Sequence, residues 1–149
     1  MEIDEIADLF VEQYKAPASN FAMVRGFLSA AIGHAVVQLS DRAKVQDLLR
    51  GAADAFDRGE TPRSRHTKPT PWTPTDGDTA IESLAAEKVA GTIEKMHLQR
   101  PDADPWILNS AAFQAAFIML AWHDHKAVAD NLRAKAEAVN EVPLNLHRH

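Results

Sequence analysis

Cysteine is absent from the chain, which removes any disulfide framework, thiol nucleophile or thiolate zinc site. Basic residues are in deficit, 16 Lys and Arg against 21 Asp and Glu, for a formal charge of -5. A chain of that balance lacks the broad basic face that displaces counterions from phosphates, so nucleic acid is not the expected partner. The sequence contains no GxSxG elbow, no Walker phosphate loop and no GxGxxG fingerprint, which leaves hydrolase, NTPase and dinucleotide readings without positive support. The opening MEIDEIADLF is acidic from its second residue and has neither the basic region nor the apolar run of a secretory signal, so the expected location is cytoplasmic. No cofactor is implied.

What is present is helical periodicity. The 149 residues suit one domain, able to bury about two thirds of the surface its unfolded form exposes. The run Trp106 to Trp122 has no charge, and only Asn109, Ser110 and Gln114 are strongly polar. A helix here reaches only the lower limit of a membrane span, and its flanks are acidic through Asp102, Asp104 and Asp124, so it reads as a central core helix rather than a transmembrane one. Trp106, Phe113, Phe117 and Leu120 form one of its faces, and truncating Phe117 is expected to cost about 3 to 5 kcal/mol.

Around it, Ile3, Ile6, Phe10 and Tyr14, widened by Leu9, form the stripe of an amphipathic first helix ended by Pro17. Its opposite face carries Glu2, Asp4, Glu5, Asp8 and Glu12, a solvated face or a docking surface for a basic partner. Phe21 to Leu39 is a second core helix, kept slim by Ala30, Ala31, Gly33 and Ala35 so that a neighbour can approach closely, with His34 as a core or boundary histidine. Ser40 and Asp41 cap a third, whose stripe runs through Val45, Leu49 and Phe56 until Gly59. Thr79 and Glu82 have capping-box spacing for a fourth, with Ile81, Leu84, Ala85, Val89, Ile93 and Met96 facing inward. Asp104 and Pro105 start the central helix, and Val128, Leu132, Ala136 and Val139 line the last one. The expected fold is therefore an all-α, six-helix bundle, with helices near 3–15, 21–39, 41–58, 79–99, 105–122 and 125–140.

Shifting the chain by 83 residues lays the first three helices on the last three, with Val45, Asp47, Leu49, Arg50 and Ala53 meeting Val128, Asp130, Leu132, Arg133 and Ala136. This suggests two three-helix units, 1–58 and 79–141, in pseudo-twofold packing, joined by a linker over 59–78 and followed by a tail over 142–149. Arg50 and Arg133 each follow an aspartate by three residues, which predicts intrahelical pairs.

The linker is the candidate site. Pro62, Pro69, Pro71 and Pro74 forbid regular structure, and an unstructured connection this long is uncommon in a compact domain. Its first half is basic through Arg58, Arg63, Arg65 and Lys68, and Trp72 stands alone in its second, either pinning the linker to the bundle or offered to a partner. The expected function is a non-enzymatic protein-interaction module, in the manner of a small inhibitor or accessory protein, binding a protein partner or itself through Trp72, Arg63, Arg65, Lys68 and the acidic residues Asp4, Glu5, Asp8 and Glu12. Two alternatives stand beside it. One is a metal-dependent enzyme or sensor using His123, His125, His97 and Asp124, although residues two apart share no helix face. The other is a nucleic-acid adaptor working through the basic linker.

Overall fold

The computed structural model describes residues 2–60, Pro69 and 71–142. It contains six α-helices, and no strand occurs among the described residues: α1 (Glu2–Tyr14), α2 (Phe21–Leu39), α3 (Arg42–Asp57), α4 (Asp78–Gln99), α5 (Pro105–Leu120) and α6 (His125–Ala138). Two 3-10 turns, Pro17–Ser19 and Val139–Glu141, follow α1 and α6.

Local chemistry starts most of these helices. Asn20, Asp41, Asp104 and Asp124 each accept a backbone N–H from the first turn of α2, α3, α5 and α6, at Ala22, Lys44, Trp106 and Lys126. The start of α4 departs from the expected capping box. Its cap position is Gly77, and the Asp78 carboxylate reaches back to the Thr75 N–H and hydroxyl at 3.0 and 2.8 Å. Glu82 is drawn instead into ion pairs with neighbouring helices, described below.

α2 and α5 form the centre. α2 packs on α4 and α5, α1 on α5, and α3 on α6, so each principal interface joins a helix of the first half to one of the second. Exchanging α1, α2 and α3 for α4, α5 and α6 carries this set of packed pairs onto itself. Because consecutive helices within a half touch little, neither half encloses a core alone. α2 is long and apolar enough to cross a membrane by length and composition, but most of it is covered by the bundle. The run at 106–122 that sequence singled out for that question is the shorter of the two.

The core differs from the sequence reading at its edges. On α1, Ala7 and Val11 are buried and Leu9 is 63% exposed, because α1 turns the other edge of its apolar stripe toward α5. On α4 only Ala85, Val89 and Ile93 are fully buried; Ile81 and Leu84, expected inside, are 37% and 56% exposed. On α5, Phe113 is buried whereas Phe117 is half-buried and stacks on it with centroids 6.0 Å apart. The close helix contact on α2 falls at Gly26 rather than Gly33, beside which a Cβ would meet nothing within 4 Å. Arg133 does not pair within α6. It bridges to Asp54 and Asp57 of α3 at 2.8 and 2.6 Å, while Asp130 pairs with Lys126.

Candidate interaction surface

α4 is apolar on two sides, and the second side faces away from the core. Ile81, Leu84, Lys88, Gly91, Lys95 and Leu98 follow alternating steps of three and four, which places them in an arc about 100° wide, turned away from the side that carries Ala85, Val89 and Ile93. Leu98 is 68% exposed, so three of the four large exposed apolar side chains among the described residues lie on this arc. The fourth, Leu9, is on α1. A groove of about 820 Å³ separates the two helices, with Leu9 and Glu12 on one wall and Lys88, Gly91 and Lys95 on the other.

The walls carry opposite charge. α1 places Glu2, Asp4 and Glu5 in its first turn and Glu12 further on, whereas Lys88 and Lys95 are the cations of the α4 wall. The acidic face is engaged within the chain: Asp4 accepts from Gln114 at 2.7 Å, Glu12 pairs with Lys15 at 2.7 Å, Glu2 lies 3.8 Å from Arg100, and Glu5 and Asp8 also have partners. Among the described residues neither Lys88 nor Lys95 has a carboxylate partner. The steps of three and four that define this seam are present in the sequence, but Ile81 and Leu84, both at its N-terminal end, were assigned to the core.

Trp72 lies on the bundle. Its ring meets Phe21 of α2 edge-on at 5.0 Å, and the Arg25 guanidinium sits 5.6 Å from its centroid. Arg25 in turn pairs with Glu82 of α4 at 2.8 Å, and Glu82 receives Lys135 of α6 at 2.8 Å, whose ammonium also donates to the Ser29 hydroxyl at 2.7 Å. All three charged side chains are mostly buried, so the linker tryptophan roofs an ion network that ties α2, α4 and α6 together. A cleft of about 480 Å³ adjoins it, where Arg25 Nε and Asn131 Oδ1 are buried without a hydrogen-bond partner. The linker residues Arg63, Arg65 and Lys68 lie outside the described residues, and Arg58 pairs with Glu60 at 3.1 Å.

The histidines named for a metal are not brought together. The buried His123 donates from Nε2 to the Ala18 carbonyl at 2.7 Å, His125 donates to the Ala121 carbonyl at 3.2 Å and packs on Phe56, and Asp124 caps α6. His97 faces His34 of α2, with ring centroids 5.9 Å apart. No group of three potential ligands occurs among the described residues. His34 donates from Nδ1 to Asn109 Oδ1 of α5, a bond across the centre of the bundle at the floor of a cleft of about 890 Å³. Burial pushes the His34 imidazole below its ordinary range, opposed by the Asn109 bond and aided by His97. Burial lowers His123 as well, against the Ala18 hydrogen bond.

Comparison with family models, with curated proteins and with solved structures returned no match.

Proposed function

We propose that this chain is a non-enzymatic interaction module whose task is to bind a helical protein surface through the α1–α4 face. The observation that carries this reading is the outward seam of α4, apolar at Ile81, Leu84 and Leu98 and cationic at Lys88 and Lys95, on a helix whose other side is already committed to the core. Exposed apolar side chains gathered on one face, rather than scattered, are what an interface uses. The complementary partner is a helix with an apolar residue between carboxylates. Such a helix would fill the groove and neutralise the two lysines.

Several of the residues first considered for binding have structural duties on this reading. Trp72 holds the linker against α2 and Asp4 accepts from Gln114, whereas Glu12, in an exposed pair with its neighbour Lys15, stays at the groove, so binding rests on α4 with α1 as the opposite wall. A role as a small inhibitor or accessory protein in the cytoplasm accords with the acidic, cysteine-free composition. We further propose that the two halves are related by duplication, a reading supported by the 83-residue correspondence and by the set of helix pairs that survives exchange of the halves.

A photo-crosslinking residue placed at Leu84 or Leu98, with one at Gly51 on the exposed side of α3 as reference, tests the docking surface in purified protein and in host extract. Discrete products from the α4 positions and none from Gly51 are expected. Equal or absent products at all three positions would overturn the assignment.

A further inference from the structure

The carboxylate-flanked helix that the α4 seam calls for exists in this chain. On α1 the residues Glu2, Glu5, Leu9 and Glu12 follow steps of three, four and three, so they stand in one arc facing away from the buried Ile6, Phe10 and Tyr14. Resting on the docking assignment above, we infer that the occupant of the α1–α4 face is a second copy of this chain, with α1 of each copy laid on α4 of the other.

The register follows from the geometry of one copy. α1 and α4 run antiparallel across their groove, since Glu2 at the start of α1 reaches Arg100 just past the end of α4, while Glu12 and Lys88 line the same stretch. A twofold axis along the groove places the second copy's α1 over the first copy's α4 at the same level and in the same antiparallel sense. Glu12 then meets Lys88, Glu5 meets Lys95, and Leu9 falls opposite Gly91. At Gly91 a Cβ would find nothing within 4 Å, so the position is a shallow hollow between two lysine stems that a leucine side chain can enter. Leu84 and Leu98 flank that contact and bury their exposed surface in it.

The charges make the arrangement specific. The α4 wall of the groove is basic at Lys88 and Lys95, while the neighbouring Glu87 and Glu94 line the cleft on the other side of the helix, so the acidic face of α1 is attracted to this wall and two such walls repel one another. The single pairing that satisfies both walls also repeats itself under the twofold, giving a closed dimer rather than a chain of molecules.

Sedimentation velocity of the full chain from low micromolar to submillimolar concentration, at low and high salt, tests this. A monomer–dimer equilibrium weakened by salt is expected. The pair Lys88→Glu with Lys95→Glu should weaken dimerisation at least about 100-fold, and so should Glu5→Lys with Glu12→Lys. Mixing the two variants should restore a heterodimer, a result that neither misfolding nor a merely structural role for these residues would produce. Monomers at every concentration, or a dimer indifferent to both reversals, would overturn the second copy as occupant. If the chain stays monomeric while Leu84 crosslinks to another protein, the docking surface stands and this inference falls. If Leu84 crosslinks to nothing, both fall.

Discussion

Gly26 of α2 lies so close to Ala85 of α4 that a Cβ on the glycine would stand 2.7 Å from the alanine Cβ and 2.4 Å from the Glu82 carbonyl oxygen. The atoms it would strike include the backbone of α4, which cannot swing aside as a side chain can. Gly26→Ala is therefore expected to destabilise the fold by about 3 kcal/mol, although alanine is favoured over glycine in a helix by about 1 kcal/mol. Gly33→Ala and Gly51→Ala, on α2 and α3, meet nothing and should be neutral or stabilising by up to about 1 kcal/mol. Urea unfolding of the three variants checks this, and equal midpoints for Gly26→Ala and Gly33→Ala would refute the close approach.

The contrast between those glycines shows where sequence reasoning succeeds and stops. That α2 is slim was legible, because small residues cluster on it. Which of them touches α4 was not, because the answer depends on how α4 is rotated. α4 carries apolar residues on both sides, so its period cannot choose between Ile81, Leu84 and Leu98 and the buried Ala85, Val89 and Ile93. The choice is made by α2, through Gly26 and the Arg25 partner of Glu82. Helix starts were readable at Asp41, Asp104 and Asp124 because capping is decided within a few residues. The same confusion of faces that placed Leu84 inside hid the outward seam. Trp72 was legible as a departure from packing logic, but its neighbour Phe21 lies too far along the chain for any local rule to find.

Glu82 holds two cations, Arg25 and Lys135, in a mostly buried setting. Removing its charge leaves those cations facing one another, while removing Lys135 leaves the Arg25–Glu82 pair whole. Glu82→Ala should accordingly cost about 3 kcal/mol, and Lys135→Ala clearly less. Adding Lys135→Met to the Glu82→Ala background should recover part of the loss, since it removes a stranded charge. Chemical denaturation of the single and double variants decides the order, and additive losses would argue against the network.

Burial of His34, opposed by its bond to Asn109, gives the fold a pH dependence of definite sign. The native imidazole titrates below the ordinary histidine value of 6.5, whereas the unfolded chain titrates near it. The unfolded state then binds more protons as pH falls through 6.5, so stability is full above that value and declines below it until the native ring is also protonated. His123 acts in the same direction. Unfolding free energies at neutral and mildly acidic pH should show the decline. His34→Gln, whose amide can still donate to Asn109, should flatten it, and an unchanged slope in that variant would assign the effect elsewhere.

Trp72 decides whether the linker is part of the fold or an anchor held out to a partner. Its edge-on contact with Phe21 and its place against the Arg25 guanidinium require it to stay on the bundle. Trp72→Ala should then lower stability by about 2 kcal/mol, the scale of a half-buried aromatic removed from apolar contact. Any loss of self-association should only track the unfolded fraction, because the α1–α4 seam does not include Trp72. A Trp72→Phe difference spectrum isolates this residue from the other two tryptophans, and its emission should be blue-shifted and protected from a soluble quencher. A red-shifted, freely quenched signal, together with a melting temperature unaffected by Trp72→Ala, would return the tryptophan to the role of an exposed anchor.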